Sequence, residues 1–406
     1  MNETKNWMKI ENRNLTTAAG FQAVGLHCGL KKEKKDLALI YSGINTAAAG
    51  VFTRNLVQAA PVNLCRVRLE NPIRAIVVNS GNANACTGER GQTDAEEMAA
   101  AAAEALHIDA RQVLVCSTGV IGVPLPINTV KEGIKAAAVG LDRGPQFDTD
   151  VAEAILTTDT SIKQSACRCA VPGAEFHLAG IAKGSGMICP NMATMLAFLV
   201  TDAKIERTLL QALFNEATDD SFNLITVDGE TSTNDTALIL ANGAAGVEIE
   251  KKGELLRTFK EMLNHVCSEL ALQIVEDGEG LTKLITITVT GAPEKSGARM
   301  MARTVLNSPL VKTAFYGEDA NWGRIITALG YAGVDFAPGR VDIFIGPYQV
   351  AADGCAVSFD EVKMKETLGR RNISVLIDLK SGPVEVTARG TDLSHEYVNI
   401  NSSYRS

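Results

Sequence analysis

The chain has 406 residues, 46% of them hydrophobic and 21% charged, with a formal net charge of −8. That length implies two or three domains, or one large interleaved body, in a mixture typical of a globular protein with a sizeable core. The acidic balance excludes a general nucleic-acid binder, which needs a basic face to displace counterions, but leaves room for a local basic pocket. The 9 cysteines are odd in number and scattered, which fits a reducing cytosol better than a disulfide framework. Cys167 and Cys169 form a C-x-C with no partner cluster at zinc spacing, so no metal is expected. The N-terminal stretch MNETKNWMKIENRNLTTAAG has no signal-peptide core. No apolar run reaches the roughly 18 residues of a spanning helix, so a soluble cytoplasmic protein is expected. The five histidines are not paired at catalytic or metal spacing, and GSGMIC places a cysteine at 189 where G-x-G-x-x-G needs glycine. A Walker A motif is missing too, so the common nucleotide-binding readings fall away.

In chain order, AIVVNSGNANACTGERG (75–91) runs from a β-branched stretch into a small polar loop. TDAEEMAAAAAEAL follows, with Thr93 and Glu96 at capping-box spacing before an alanine-rich helix. VLVCSTGVIGVPLP (113–126) is a second strand ending in a glycine loop. Strand, glycine loop and helix make an α/β rhythm. KGSGMICPNMATMLAF (183–198) passes through a glycine-rich approach and a Pro190-Asn191 turn into an apolar run. GELLRTFKEMLNHVCSELAL sets Leu255, Phe259, Met262, Leu263, Val266 and Leu270 on one helical face. KLITITVTG alternates Ile285, Ile287 and Val289 with threonines, as a strand with one buried face does. RVDIFIG, ISVLIDL and PVEVTARG make the C-terminal part strand-rich, and a β-like YVNIN suggests that the tail is tied down. With no repeat or linker, the segments before and after Thr194 read as parts of one layered α/β body.

The chemistry centres on Thr194. A threonine hydroxyl is a weak nucleophile until a base removes its proton, and an N-terminal threonine carries that base as its own α-amine. This requires a cut before Thr194, which the hydroxyl can make by attacking the preceding carbonyl to give an ester that water opens. Small Ala193 and the preceding turn suit such an attack, although a plain loop-to-strand start has the same residues. Acyl transfer also needs preorganised donors for the oxyanion. Thr118 and Gly119, at the end of VLVCSTG, are candidates, and an ordinary strand-ending turn is the alternative. Lys183 could bind a carboxylate as a point charge or sit solvated at the surface. Glu279, between two glycines, could pair with an ammonium or simply shape a turn. Thr157 and Thr158 offer hydroxyls, and the tail offers Asn401 and Ser406.

The joint pattern of KGSGMICPNMATMLAF, NSGNANACTG, STGVIG, AILTTDT, SFNLITVDGETSTND, VEDGEGLTK, FYGEDANWGRI and YVNIN resembles, in order and over nearly the whole chain, the ornithine acetyltransferase/glutamate N-acetyltransferase family of arginine biosynthesis. The resemblance implies self-cleavage between Ala193 and Thr194, giving an α chain (1–193) and a β chain (194–406). Thr194 would be the nucleophile, and Thr118 and Gly119 the oxyanion hole. Thr157, Lys183, Thr194, Glu279, Asn401 and Ser406 would contact the substrate. The family tail usually ends in threonine, whereas Ser406 keeps the hydroxyl without the methyl. The implied reaction is ping-pong transfer of acetyl from N-acetylornithine to glutamate through acetyl-Thr194, without cofactor or metal. Acetyl-CoA is a further donor in some members. The implied fold is an αββα sandwich similar to, but distinct from, the N-terminal-nucleophile hydrolases, with a smaller strand-rich C-terminal part. The implied assembly is an α2β2 heterotetramer. A self-cleaving aminopeptidase or amidase of related fold, releasing its acyl group to water, is the alternative.

Overall fold

The computed structural model describes residues 6–11, 13–189 and 195–403. Its framework turns on one strand of 16 residues, Leu37–Phe52. The first part pairs antiparallel with Phe21–Leu26 and with Ile73–Asn82, which in turn pairs parallel with Val113–Val120. The second part pairs antiparallel with Thr236–Ala241, beyond which lie Leu196–Thr201, Ala174–Lys183, Lys163–Val171 and Trp7–Lys9. The long strand therefore belongs to two stacked sheets.

Alternating side chains explain why both faces of each sheet are apolar. Ile40, Ile76 and Leu114 meet Ile181, Phe198 and Leu238 between the sheets. Their neighbours Leu39, Val77 and Val115 face outward onto the helices Gly88–Leu106 and Ile127–Val139. Leu178, Leu199 and Ile239 of the second sheet face outward onto Arg207–Asp219 and Glu254–Glu276. The result is the αββα sandwich expected. Cys167 and Cys169 are buried together in that second outer layer, where C-x-C is the two-residue period of a strand.

The C-terminal part forms a third sheet, apart from the two of the sandwich. Leu284–Ala292 lies between Asn372–Asp378 and Val384–Thr391. Ile285, Ile287 and Val289 pack with Met301, Val305 and Phe315 from the helices Lys295–Asn307 and Pro309–Tyr316. Ile225–Thr226 joins this sheet through Val384–Thr391, stitching it to the sandwich.

Two local expectations are corrected. The alanine-rich helix begins at Gly88, so Thr93 lies inside it and its hydroxyl donates to the Glu89 carbonyl instead of forming a capping box. The preceding loop accounts for the early start: Asn84 accepts from Thr87 and donates to the Gly91 carbonyl, both at 2.8 Å. The YVNIN tail is not β-like; it lies in the helix His395–Ser403. Ser394 starts that helix by accepting from the Tyr397 N–H while donating to the Gly280 carbonyl, and tertiary context overrides the weak β preference of Val and Ile. No described helix is long and apolar enough to cross a membrane.

Candidate active site

Thr118 and Gly119 sit at the end of Val113–Val120, where Gly119 is paired with Gly81 on the neighbouring parallel strand. Gly119 has φ +134°, and a Cβ there would collide with the Gly81 carbonyl carbon and the Asn82 nitrogen. Only glycine permits this close approach. A network of amides fixes the surroundings. Ser117 Oγ donates to Asn79 Oδ1 at 2.6 Å, Asn79 Nδ2 donates to the Asn82 carbonyl at 2.9 Å, and Asn234 Nδ2 donates to the Ala83 and Ser117 carbonyls. Such fixed dipoles are the kind that stabilise charge without reorganising.

Thr118, Gly119, Thr157, Lys183, Glu279 and Asn401 all line one cleft. Its cavity volume is about 90 Å³, below the roughly 300–1,000 Å³ usual for drug-sized ligands, so the site is small and polar. Six residues from five distant segments thus converge. Lys183 is not a solvated surface lysine, being 6% exposed. Its Nζ lies 3.5 Å from Thr118 Oγ1 and 3.9 Å from Asp159 Oδ2. Burial pushes its ammonium below the usual lysine range, with Asp159 opposing. Across the cleft, the Glu279 N–H donates to the Ser185 carbonyl at 2.9 Å, and Oε2 accepts from Asn401 Nδ2 at 2.9 Å. Gly186 is small because any Cβ would strike the Glu279 carboxylate.

The two threonines separate. The Thr158 hydroxyl shares a 2.8 Å hydrogen bond with Ser185 Oγ. Thr157 has its N–H bonded to Asp159 Oδ2 at 2.9 Å, and its side chain faces the cleft with no hydrogen bond among the described residues.

Ala193, Thr194 and Ser406 lie outside the described residues. The chain on both sides of 193–194 is firmly held. Upstream, Asp228 accepts from the Met187 and Ile188 N–H groups at 2.6 and 2.9 Å, and the Ile188 carbonyl accepts from the Val227 N–H and the Thr226 hydroxyl. Downstream, the Met195 carbonyl accepts from the Thr236 N–H, and Leu196 is paired with Lys183. Met195 and Leu196 line a small recess with Thr118, Lys183 and Asn234. The first described residue after position 194 therefore abuts the expected oxyanion donors and the buried lysine.

Sequence reasoning passed over Asp159, Lys163, Asp277, Asp228 and Asn234. All lie within or beside the stretches already singled out, but spacing alone does not say which of several neighbouring acids turns inward. Among the described residues no group of three or more His, Cys, Asp or Glu side chains is arranged to hold a metal ion.

Residues 22–406 match the ArgJ family model. The Symbiobacterium thermophilum arginine biosynthesis bifunctional protein ArgJ is 52% identical, covering 96% of this chain and 98% of its own. The Thermotoga neapolitana protein of the same name is 48% identical, covering 95% and 98%. Among solved structures, an ornithine acetyltransferase from Mycobacterium tuberculosis, complexed with ornithine, is 39% identical with a TM-score of 0.44, covering 46% of this chain and 98% of its own.

Proposed function

The chain belongs to the ArgJ family, and on that premise we propose that it is a glutamate N-acetyltransferase of arginine biosynthesis, working through an acetyl ester on Thr194. The observation that carries this reading is the convergence of Thr118, Gly119, Thr157, Lys183, Glu279 and Asn401 on one cleft, with Met195 and Leu196 beside Thr118 and Lys183.

In the proposed sequence the Thr194 hydroxyl first attacks the Ala193 carbonyl. Collapse breaks the Ala193–Thr194 C–N bond, which frees the Thr194 α-amine and leaves an ester on the hydroxyl; water then opens the ester, giving the Ala193 carboxylate and restoring the hydroxyl. That amine then takes the hydroxyl proton as Thr194 attacks the acetyl carbonyl of N-acetylornithine. The tetrahedral oxyanion is met by the Gly119 N–H and the Thr118 hydroxyl. Collapse breaks the amide C–N bond, the ornithine nitrogen takes the proton, and ornithine leaves. The glutamate α-amine attacks the acetyl-Thr194 ester, and N-acetylglutamate departs as the hydroxyl is regenerated. Lys183 binds a substrate carboxylate, and Glu279, oriented by Asn401, binds a substrate ammonium. Thr157 supplies a hydroxyl, and Ser406 a further one from the tail. Both amino acids are of similar length, which lets one cleft serve both half-reactions. Acetyl-CoA is proposed as a second donor for N-acetylglutamate synthesis, and an α2β2 assembly in the cytoplasm as the working form.

The test is transfer of labelled acetyl from N-acetylornithine. Purified protein should yield labelled N-acetylglutamate only when glutamate is present, and quenching without glutamate should leave the label on a peptide starting at Thr194. Release of free acetate at the same rate with or without glutamate would overturn the transferase reading.

A further inference from the structure

Beneath the cleft lies a row of buried charges of which the proposed reaction uses only Lys183. Asp277 accepts from Lys163 Nζ, which also donates to Asp159 Oδ1 at 2.6 Å. Asp159 in turn faces Lys183. The Lys163 and Asp159 side chains are fully buried and that of Asp277 is 7% exposed. The signs alternate, two negative and two positive, so the row carries no net charge. An isolated buried ion would be costly, but a paired and hydrogen-bonded one is tolerated.

Asp159 is the junction of this row. Besides Lys163, Oδ1 accepts from the Gly184 N–H at 2.6 Å, directly after Lys183, and Oδ2 accepts from the Thr157 N–H at 2.9 Å. Its carboxylate thus ties the Thr157 turn to the segment after Lys183. At the far end Asp277 accepts from Thr160 and Ser161 N–H groups, and Glu279 is only two residues on. One end of the row is thus Lys183, and the other end is two residues before Glu279 in the sequence.

We propose that Asp159 is a positioning residue for the acetyl-transfer cleft, the counter-charge that keeps Lys183 an ammonium in a desolvated site and fixes its place relative to Thr157 and Glu279. This rests on the function proposed above. The charged groups facing Lys183 are Asp159, Lys163, Asp235 and Glu279, with Lys31 also within electrostatic reach. Asp159, Asp235 and Glu279 favour the ammonium, whereas burial, Lys163 and Lys31 oppose it. Burial would push the Asp159 carboxyl upward, but Lys183 and Lys163 outweigh it and hold the group well below the usual carboxylate range. It therefore remains a carboxylate throughout the range of activity.

The sign of the effect follows. Activity that needs the Lys183 ammonium is lost as pH rises through the pKa of that group. Neutralising Asp159 removes a stabilising charge, so the loss moves to lower pH. Neutralising Lys163 removes a repelling charge, so the loss moves to higher pH. Removal of an opposite charge at this range shifts a titration by about 1–3 units.

The experiment is the pH profile of kcat/KM for glutamate in Asp159→Asn and Lys163→Met, set against the unaltered protein. Asp159→Asn should bring the alkaline limb down by about one unit or more, mainly through KM, with kcat recovering at lower pH. Lys163→Met should move the limb upward. A purely structural role lowers activity by the same factor at every pH and cannot move the two limbs in opposite directions. If Lys163→Met does not accumulate as folded protein, the Asp159→Asn limb decides alone. Unaltered protein that transfers acetyl while the Asp159→Asn limb stays in place overturns this inference and leaves the function intact; unaltered protein that transfers no acetyl overturns both.

Discussion

At the scale of single residues, the cleft depends on groups whose identity is fixed by space. Gly119 is one: its conformation and the nearness of Gly81 exclude a side chain. Gly119→Ala should displace the proposed oxyanion donors, and a lost donor of this type costs roughly 10²–10³ in kcat. Steady-state kinetics should show that loss with little change in KM. The two threonines give a sharper contrast. Thr158→Val removes the bond to Ser185 and should cost about 1 kcal/mol of stability, the usual net value of one hydrogen bond. Thr157→Val should leave the melting temperature nearly unchanged and raise KM. A stability loss confined to Thr157→Val would reverse their roles. Much of this site was legible in the sequence, because Thr118, Gly119, Lys183, Glu279 and Asn401 stand in long motifs. Asp159 was not, since AILTTDT does not reveal that its aspartate turns under the cleft to meet two lysines from other strands.

At the scale of elements, the chain is held on either side of the proposed cut. Asp228, Thr226 and Val227 grip residues 187–188, strand pairing grips Leu196, and the Thr236 N–H holds the Met195 carbonyl. The C-terminal helix closes the cleft from the other side. Ser394 joins its first turn to the Gly280 carbonyl, next to Glu279. Ser394→Ala should cost about 1 kcal/mol, as loss of a helix-start hydroxyl does, seen as a lower melting temperature. It should also raise KM for both amino acids, because Asn401 and Glu279 would no longer be held in step; an unchanged KM would show that the helix does not order the site. Strongly periodic elements were readable in advance: Phe259, Met262, Leu263, Val266 and Leu270 are all buried along one helix, and Ile285, Ile287 and Val289 along one strand. The tail helix was not readable, because YVNIN is too short for its own periodicity and takes its form from Ser394 and Gly280. The true start of the alanine-rich helix was hidden for a like reason, being set by Asn84 and Thr87 in the loop before it.

At the scale of the molecule, the sequences before and after position 194 are woven together. Leu196–Thr201 lies between Ala174–Lys183 and Thr236–Ala241, and the latter pairs with Leu37–Phe52. Neither part could keep its sheet alone. After the proposed cut the two chains should co-migrate on a sizing column and part only in denaturant; separation in native buffer would contradict the interleaved body. The layered α/β class was evident from the alternation of strands and helices, whereas the sharing of one long strand by two sheets was not, since nothing in LALIYSGINTAAAGVF marks where it changes partners. The most direct test of the central claim is the intact mass of the protein under denaturing conditions, with N-terminal sequencing of the smaller species. The account predicts two chains, one ending at Ala193 and the other beginning Thr194-Met195-Leu196, and a single uncut chain in Thr194→Ala. An uncut chain that transfers acetyl at full rate, or a cut at another position, would contradict it.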